Sequence, residues 1–210
     1  MKGLFITIEG NDGSGKSTVI NALKEALDKL NIDVIYSREP GGSRIAEKIR
    51  DVILDVDNVG MDKRTEALLY AASRREHLVD TVIPAIEQGK IVICDRFIDS
   101  SLTYQGVARG IGVDEVLNMN LFATLGFMPD LTIYLLCEPT LGLARKKHQK
   151  ELDRMELEKL EFHQMVYDAY LNLAKRFSNR VVIVDGNQNI HDECQDVINL
   201  VTKFIKERGN

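Results

Sequence analysis

The chain contains no apolar run approaching the roughly 20 residues that a membrane-spanning helix needs. Its N-terminus, MKGLFITIEG, is too short and too soon interrupted by Glu9 for a secretory leader, and reads instead as a first strand. Cysteine is scarce: Cys94, Cys137 and Cys194 form an odd set with no CxxC pair. Cys94 and Cys137 lie in apolar stretches, where a buried reduced thiol is expected, so the expected compartment is the cytoplasm. An excess of positive charge is also missing. With 27 Lys and Arg against 32 Asp and Glu the formal net charge is −5, which argues against general nucleic-acid binding but not against a small anion held where cations converge. The histidines (His77, His148, His163, His191) show no metal-ligand spacing, and nothing suggests a Ser–His–Asp or Cys–His nucleophile. There is no internal repeat, low-complexity tract or Pro/Gly-rich linker, so residues 1–210 read as one domain.

What is present alternates. The apolar runs 4–9, 33–37, 90–95, 130–136 and 180–185 are continuous rather than alternating, as strands covered on both faces should be. Helical spacing lies between them, at Ile20, Leu23, Leu27 and Leu30, at Ile45, Ile49, Val52 and Ile53, and at Cys194, Val197, Ile198, Val201 and Ile205. This order predicts an α/β fold, a five-stranded parallel sheet with helices on both faces, whose ligands sit beyond the carboxyl ends of the strands. GNDGSGKS, REPGG, DRFIDSS and DGNQ each follow a strand and are therefore the functional candidates.

Gly10-Asn11-Asp12-Gly13-Ser14-Gly15-Lys16-Ser17 fits the phosphate-loop pattern, with a strand before it and a helix after. Glycines leave successive backbone N–H groups open to a polyphosphate, and the helix N-terminus adds partial positive charge. Lys16 can reach the β- and γ-phosphates and Ser17 can ligate Mg²⁺. Asp95, ending the third strand, stands where a carboxylate beside Mg²⁺ is expected, and Arg96 follows it toward the ligand crevice. Tyr70 and Arg74, four apart on one predicted helix, can stack on a base and bond its edge. None of Asn11, Asp12, Gly13 and Ser14 is basic, so the cation for a transferring phosphoryl group must come from elsewhere. The charged run 144–158, with Arg145, Lys146, Lys147, Lys150 and Arg154, is the candidate source and reads as a mobile lid spanning about 143–158.

Taken together, EGNDGSGKST, REPGG, TEALLYAASRREHL, CDRFIDSSLTYQG, ARGIG, PDLTIYL and DRMELE resemble the thymidylate kinase family of the bacterial type, over essentially the whole chain and in the same order. The resemblance implies a P-loop nucleoside monophosphate kinase that transfers the γ-phosphoryl of ATP to dTMP with Mg²⁺, a step in dTTP supply. It implies ATP binding by Gly10, Asn11, Asp12, Gly13, Ser14, Gly15, Lys16, Ser17 and Thr18, and metal binding by Ser17 and Asp95. Asp12 would sit between donor and acceptor, and Arg96 would hold the dTMP phosphate, with Arg50 and Glu39 nearby. Tyr70 would stack on thymine, where the family more often has phenylalanine. Arg74 and Gln105 would bond the thymine edge, Ser101 would line the pocket, and Tyr104 would crowd the 2′ position. Lys16, Arg96, Arg145 and Arg154 would be the catalytic cations. Lysine cannot imitate the bidentate arginine fork, which is why the two arginines stand out in a lid that departs from the arginine-rich pattern of some relatives. Family members are commonly homodimers. The alternatives are a kinase for another nucleotide or for a nucleoside, and a non-catalytic ATP-binding switch.

Overall fold

A computed structural model describes residues 3–146, 154–155 and 157–208. All five apolar runs form strands: β1 (Leu4–Gly10), β2 (Val34–Arg38), β3 (Ile91–Asp95), β4 (Leu131–Leu136) and β5 (Val181–Asp185). They pair in parallel in the order β2-β3-β1-β4-β5. The helices are α1 (Lys16–Lys29), α2 (Arg44–Leu54), α3 (Lys63–His77), α4 (Ile83–Glu87), α5 (Ile98–Ser101), α6 (Val113–Thr124), α7 (Pro139–Lys146), α8 (Leu160–Arg176) and α9 (Ile190–Arg208). A π-helical turn, Leu78–Val82, joins α3 to α4, and another, Leu102–Ala108, continues α5.

The pleat of β1 sends successive side chains to opposite faces. Ile6 and Ile8 pack with Val19, Leu23 and Leu27 of α1 and with Val197 and Val201 of α9. Phe5 packs with Leu78, Val82 and Phe97 on the other face, where Tyr134 of β4 joins Val166 and Tyr170 of α8. Coverage on both faces does not extend to β5, where Val182 and Ile183 are 37% and 45% exposed. That strand forms one edge of the sheet, and the flanking helices do not reach around it. The helical stripes narrow in a similar way. Leu30 lies past the end of α1 and is exposed, and on α2 the buried residues are Ala46 and Ile53 while Ile45 and Val52 face outward.

One polar network is sealed into the second face. Asp99 is fully buried; Arg180 donates to both its oxygens at 2.8 and 2.9 Å, and Tyr134 Oη donates to it at 2.7 Å. Arg180 also donates to Thr132 Oγ1 at 2.8 Å, so a cation from the start of β5 fastens the segment after β3 to the sheet. Removing one member of such a pair leaves a buried charge uncompensated. Arg180→Ala should therefore lower unfolding free energy by about 3–5 kcal/mol, measured by urea denaturation.

Candidate active site

β1 ends at Gly10, and α1 begins at Lys16, with Gly15 in the left-handed region at φ 91°. The sharp loop between them is anchored from below. Asn11 and Cys137 exchange hydrogen bonds, Asn11 Nδ2 donating to the Cys137 carbonyl at 2.9 Å and Cys137 N donating to Asn11 Oδ1 at 3.1 Å. Gly13 and Gly142 meet backbone to backbone. A Cβ on Gly13 would collide with the Gly142 carbonyl, and one on Gly142 with the carbonyl of Asp12. This contact seats α7 on the phosphate loop and delivers Arg145 and Lys146 to it.

Two clefts open at the carboxyl ends of the strands. The first is lined by Asp12, Gly13, Ser14, Gly15, Lys16, Ser17 and Thr18, together with Asp95, Arg96, Arg145, Lys146 and Gln188–Ile190. Lys16 Nζ donates to the carbonyls of Gly10 and Asn11 at 3.0 and 2.9 Å, and burial, followed by the charge of Arg96, pushes its ammonium down to about 8. Arg145 donates to the Gly186 carbonyl at 3.0 Å and to Gly13 at 3.3 Å. Asp95 Oδ1 is buried with no hydrogen-bond partner among the described residues, and Ser17 shares its cleft. An orphaned carboxylate oxygen and a hydroxyl lining the same cleft suit a hard divalent cation such as Mg²⁺.

The second cleft is lined by Asp12, Glu39, Arg50, Tyr70, Arg74, Arg96, Ser101, Tyr104 and Gln105, among others that include Met155. The π-helical turn helps to build it: Tyr104 and Gln105 line it from the widened stretch, and Ser101 from the end of α5 just before. Arg74 is 1% exposed and nearly saturated. Its Nε donates to Glu39 Oε2 at 2.8 Å and Nη2 to the Phe97 carbonyl at 2.9 Å, while Nη1 bonds Ser101 and Asn120. His77 Nδ1 lies 2.8 Å from the other Glu39 oxygen. Arg50 Nη1 donates to the Pro40 carbonyl at 2.7 Å, which ties the REPGG loop to α2.

Asp12 and Arg96 line both clefts. Arg96 Nη2 donates to Asp12 Oδ1 at 2.8 Å, and Nη1 donates to the Gly10 carbonyl and to Ser100 Oγ, both at 3.1 Å. Arg96 has φ 68°, an uncommon conformation for a non-glycine residue that aims its side chain back across the sheet ends. The loop carrying it is held by Glu9, which is fully buried and accepts from the backbone N–H of Phe97 and Ser100 and from Tyr170 Oη. Burial and the charge of Asp99 push Glu9 up to about 7. Burial works against ionised Asp12, yet Arg96, Lys146, Lys16 and His163 together hold it well below the usual carboxylate range. Tyr104 Oη also donates to Asp12, at 3.0 Å.

Most of the residues expected from the sequence therefore line one of the two clefts; Gly10, Asn11 and Arg154 do not, and the expected lid is described only in part. Gly10 and Asn11 build the phosphate loop without lining the cleft: Gly10 lends its carbonyl to Lys16 and Arg96, and the Asn11 side chain is spent on Cys137. Arg154 does not join the phosphate cations; it is buried, with Nη1 2.7 Å from Glu66 Oε2 and Nε 2.8 Å from the Ile53 carbonyl, because the buried Glu66 carboxylate demands a cation. The expected lid is partly ordered helix, since 143–146 belong to α7, while 147–153 and 156, including Lys147 and Lys150, lie outside the described residues. Sequence reasoning missed Lys146 as a specific contact (Nζ is 3.6 Å from Asp12 Oδ1), His163 beside the same carboxylate, and the buried acids Glu9, Glu66 and Glu193. Their one signal was charge within otherwise apolar or helical stretches, which does not reveal a partner distant in sequence.

The family model for thymidylate kinase matches residues 8–198. The chain is 54% identical to the thymidylate kinase of Clostridium novyi (strain NT) over 93% of its own length and 97% of the relative's. It is 52% identical to that of Geobacillus sp. (strain WCH70), over 99% of this chain and all of the other. In three dimensions it resembles the crystal structure of thymidylate kinase from Ehrlichia chaffeensis, with a TM-score of 0.77 and 32% identity, covering 96% of this chain and 99% of that one.

Gly142→Ala should push α7 off the phosphate loop and carry Arg145 and Lys146 with it. Titration with a fluorescent nucleoside triphosphate should show affinity weakened by about tenfold, the loss of one or two charge-assisted bonds.

Proposed function

The chain belongs to the thymidylate kinase family, and from that membership we propose how its residues carry the family's reaction. It is a dTMP kinase, transferring the γ-phosphoryl group of ATP to dTMP to give dTDP and ADP, with ATP as co-substrate. The observation that carries the residue assignment is the sharing of Asp12 and Arg96 between the two clefts. A phosphoryl group passes between two anionic substrates where their sites touch, and at that seam the protein keeps a guanidinium.

ATP takes the phosphate-loop cleft, its polyphosphate on the backbone of Gly13–Thr18 and on Lys16, which exchanges the carbonyls of Gly10 and Asn11 for phosphate oxygens. dTMP takes the second cleft, its phosphate on Arg96, its base against Tyr70 and its edge toward Arg74 and Gln105. Ser101 lines the pocket, Tyr104 crowds the 2′ position, and Glu39 and Arg50 brace the surrounding wall. Glu39 also holds Arg74 and His77 in place, one on each carboxylate oxygen. A dTMP phosphate oxygen attacks the γ-phosphorus in line, with no covalent enzyme intermediate. Lys16, Arg96, Arg145 and Lys146 offset the charge that two converging anions bring together. Arg145 and Lys146 supply what the nonbasic phosphate loop lacks. Ser17 and Asp95 would hold Mg²⁺, which when bound neutralises phosphate oxygens of the nucleotide.

Residues 1–210 act as one domain in this reading, with the segment around 143–158 closing over ATP. The cytoplasm is the compartment that the free, buried Cys94 and Cys137 support, and no helix among the described residues is long and apolar enough to cross a membrane. The net charge of −5 weighs against nucleic acid as a partner. A homodimer is supported by large apolar side chains exposed on the packed helices α2, α3 and α6: Ile45, Val52, Leu68 and Phe122.

A coupled ADP-release assay with dTMP, thymidine, CMP and deoxyadenosine tests the function. Turnover should be strong with dTMP alone, and a preference for any of the other three overturns it. Light scattering should give a mass near twice 23.7 kDa, and Phe122→Asp should shift the population toward monomer.

A further inference from the structure

Glu66 stands in the first turn of α3, is fully buried, and collects four hydrogen bonds from three residues. Arg154 Nη1 donates to Oε2 at 2.7 Å, Arg109 donates Nε to Oε1 and Nη2 to Oε2 at 3.3 Å each, and Gln105 Nε2 donates to Oε1 at 2.8 Å. Two guanidiniums balance the one carboxylate, and Glu158 in turn accepts from Arg109. Among the described residues Glu66, Arg109 and Arg154 bond no phosphate-loop residue, and of this cluster only Gln105 reaches the base in the proposed reaction.

Its consequence lies in the amide of Gln105. An ionised carboxylate can only accept hydrogen bonds, and two arginines hold Glu66 in place. Gln105 must therefore turn its NH₂ group toward Glu66, because its carbonyl oxygen there would meet lone pairs with lone pairs. Gln105 is 1% exposed and lines the acceptor cleft, so no other rotation is open to it at low cost. The amide's remaining arm, Oε1, is an acceptor with its orientation already set.

We propose that Glu66 is a specificity-positioning residue: by locking the Gln105 amide it makes the acceptor cleft demand a base whose ring nitrogen carries a proton. This rests on the reading of that cleft as the dTMP site. Thymine and uracil present an N3–H that donates to Oε1. Cytosine presents a lone pair at the same position and an amino group where the others have a carbonyl. Arg74, which can only donate, meets that amino group unfavourably as well. A glutamine with freedom to turn would offer its NH₂ to cytosine and lose part of the distinction. Failure to satisfy a buried polar group discriminates more strongly than fit to a methyl group does.

The test compares kcat/KM for dTMP and dCMP at saturating ATP in wild type, Glu66→Gln, Gln105→Leu and the double variant. Glu66→Gln can donate to the Gln105 carbonyl and so permits the turned amide. It should reduce the dTMP to dCMP ratio by about tenfold or more, with KM for ATP unchanged. In the Gln105→Leu background the same substitution should alter the ratio no further, since Glu66 acts through Gln105. A Glu66→Gln enzyme that loses both activities equally, with its ratio intact, shows a merely structural role and overturns the proposal. If that variant melts below the assay temperature, the ratios are measured below its melting point, and an unaltered ratio in Gln105→Leu overturns the proposal at any temperature. Wild type that fails to phosphorylate dTMP overturns instead the reading of the cleft.

Discussion

The ion pair between Arg96 and Asp12 is the contact around which this molecule is arranged. Two anionic substrates have to be brought within bonding distance, and their mutual repulsion in a partly desolvated cleft is the main obstacle. In the proposed reading Arg96 answers it from a position that lines both clefts, and Asp12 holds that guanidinium at 2.8 Å. Everything near the pair serves to hold it. Glu9 grips the loop that bears Arg96, the left-handed backbone at Arg96 redirects its side chain, and Tyr104 bonds Asp12 from the acceptor side. Arg180 and Asp99 then fasten this helical turn to the sheet.

The acceptor cleft follows a common device, in which arginines are immobilised by buried acids so that few donors remain. Arg74 is committed to Glu39, Ser101, Asn120 and Phe97, and in the neighbouring cluster Arg109 and Arg154 are held on the Glu66 carboxylate. Buried pairs of this kind contribute little net stability, because desolvation offsets most of the attraction. What they provide is orientation: a donor or an amide that cannot rearrange is selective among ligands of nearly the same shape.

The fold was legible because its signals are local. An apolar run of six residues, or leucines at helical spacing, declares itself within a short window, and all five strands lie within a residue of where their apolar runs placed them. The exceptions, β5 and the outer face of α2, have one cause. Burial at those positions depends on what covers them, and no window of sequence contains the covering element. The phosphate loop and the DRF segment were legible for a related reason, since each is a contiguous piece whose backbone geometry its own residues impose.

Arg154 marks the limit. As a basic residue in a charged run it looked like a phosphate ligand, and the structure buries it against Glu66, 88 positions earlier in the chain. Lys146 and His163 are likewise unremarkable in sequence and reach Asp12 only because α7 and α8 pack beside the loop. The sequence alone therefore determined the α/β architecture, the grip on a polyphosphate and, by resemblance, the family. Which cation faces which anion was decided only by tertiary structure, because charge pairing is settled through space, by helices that bring together residues far apart along the chain.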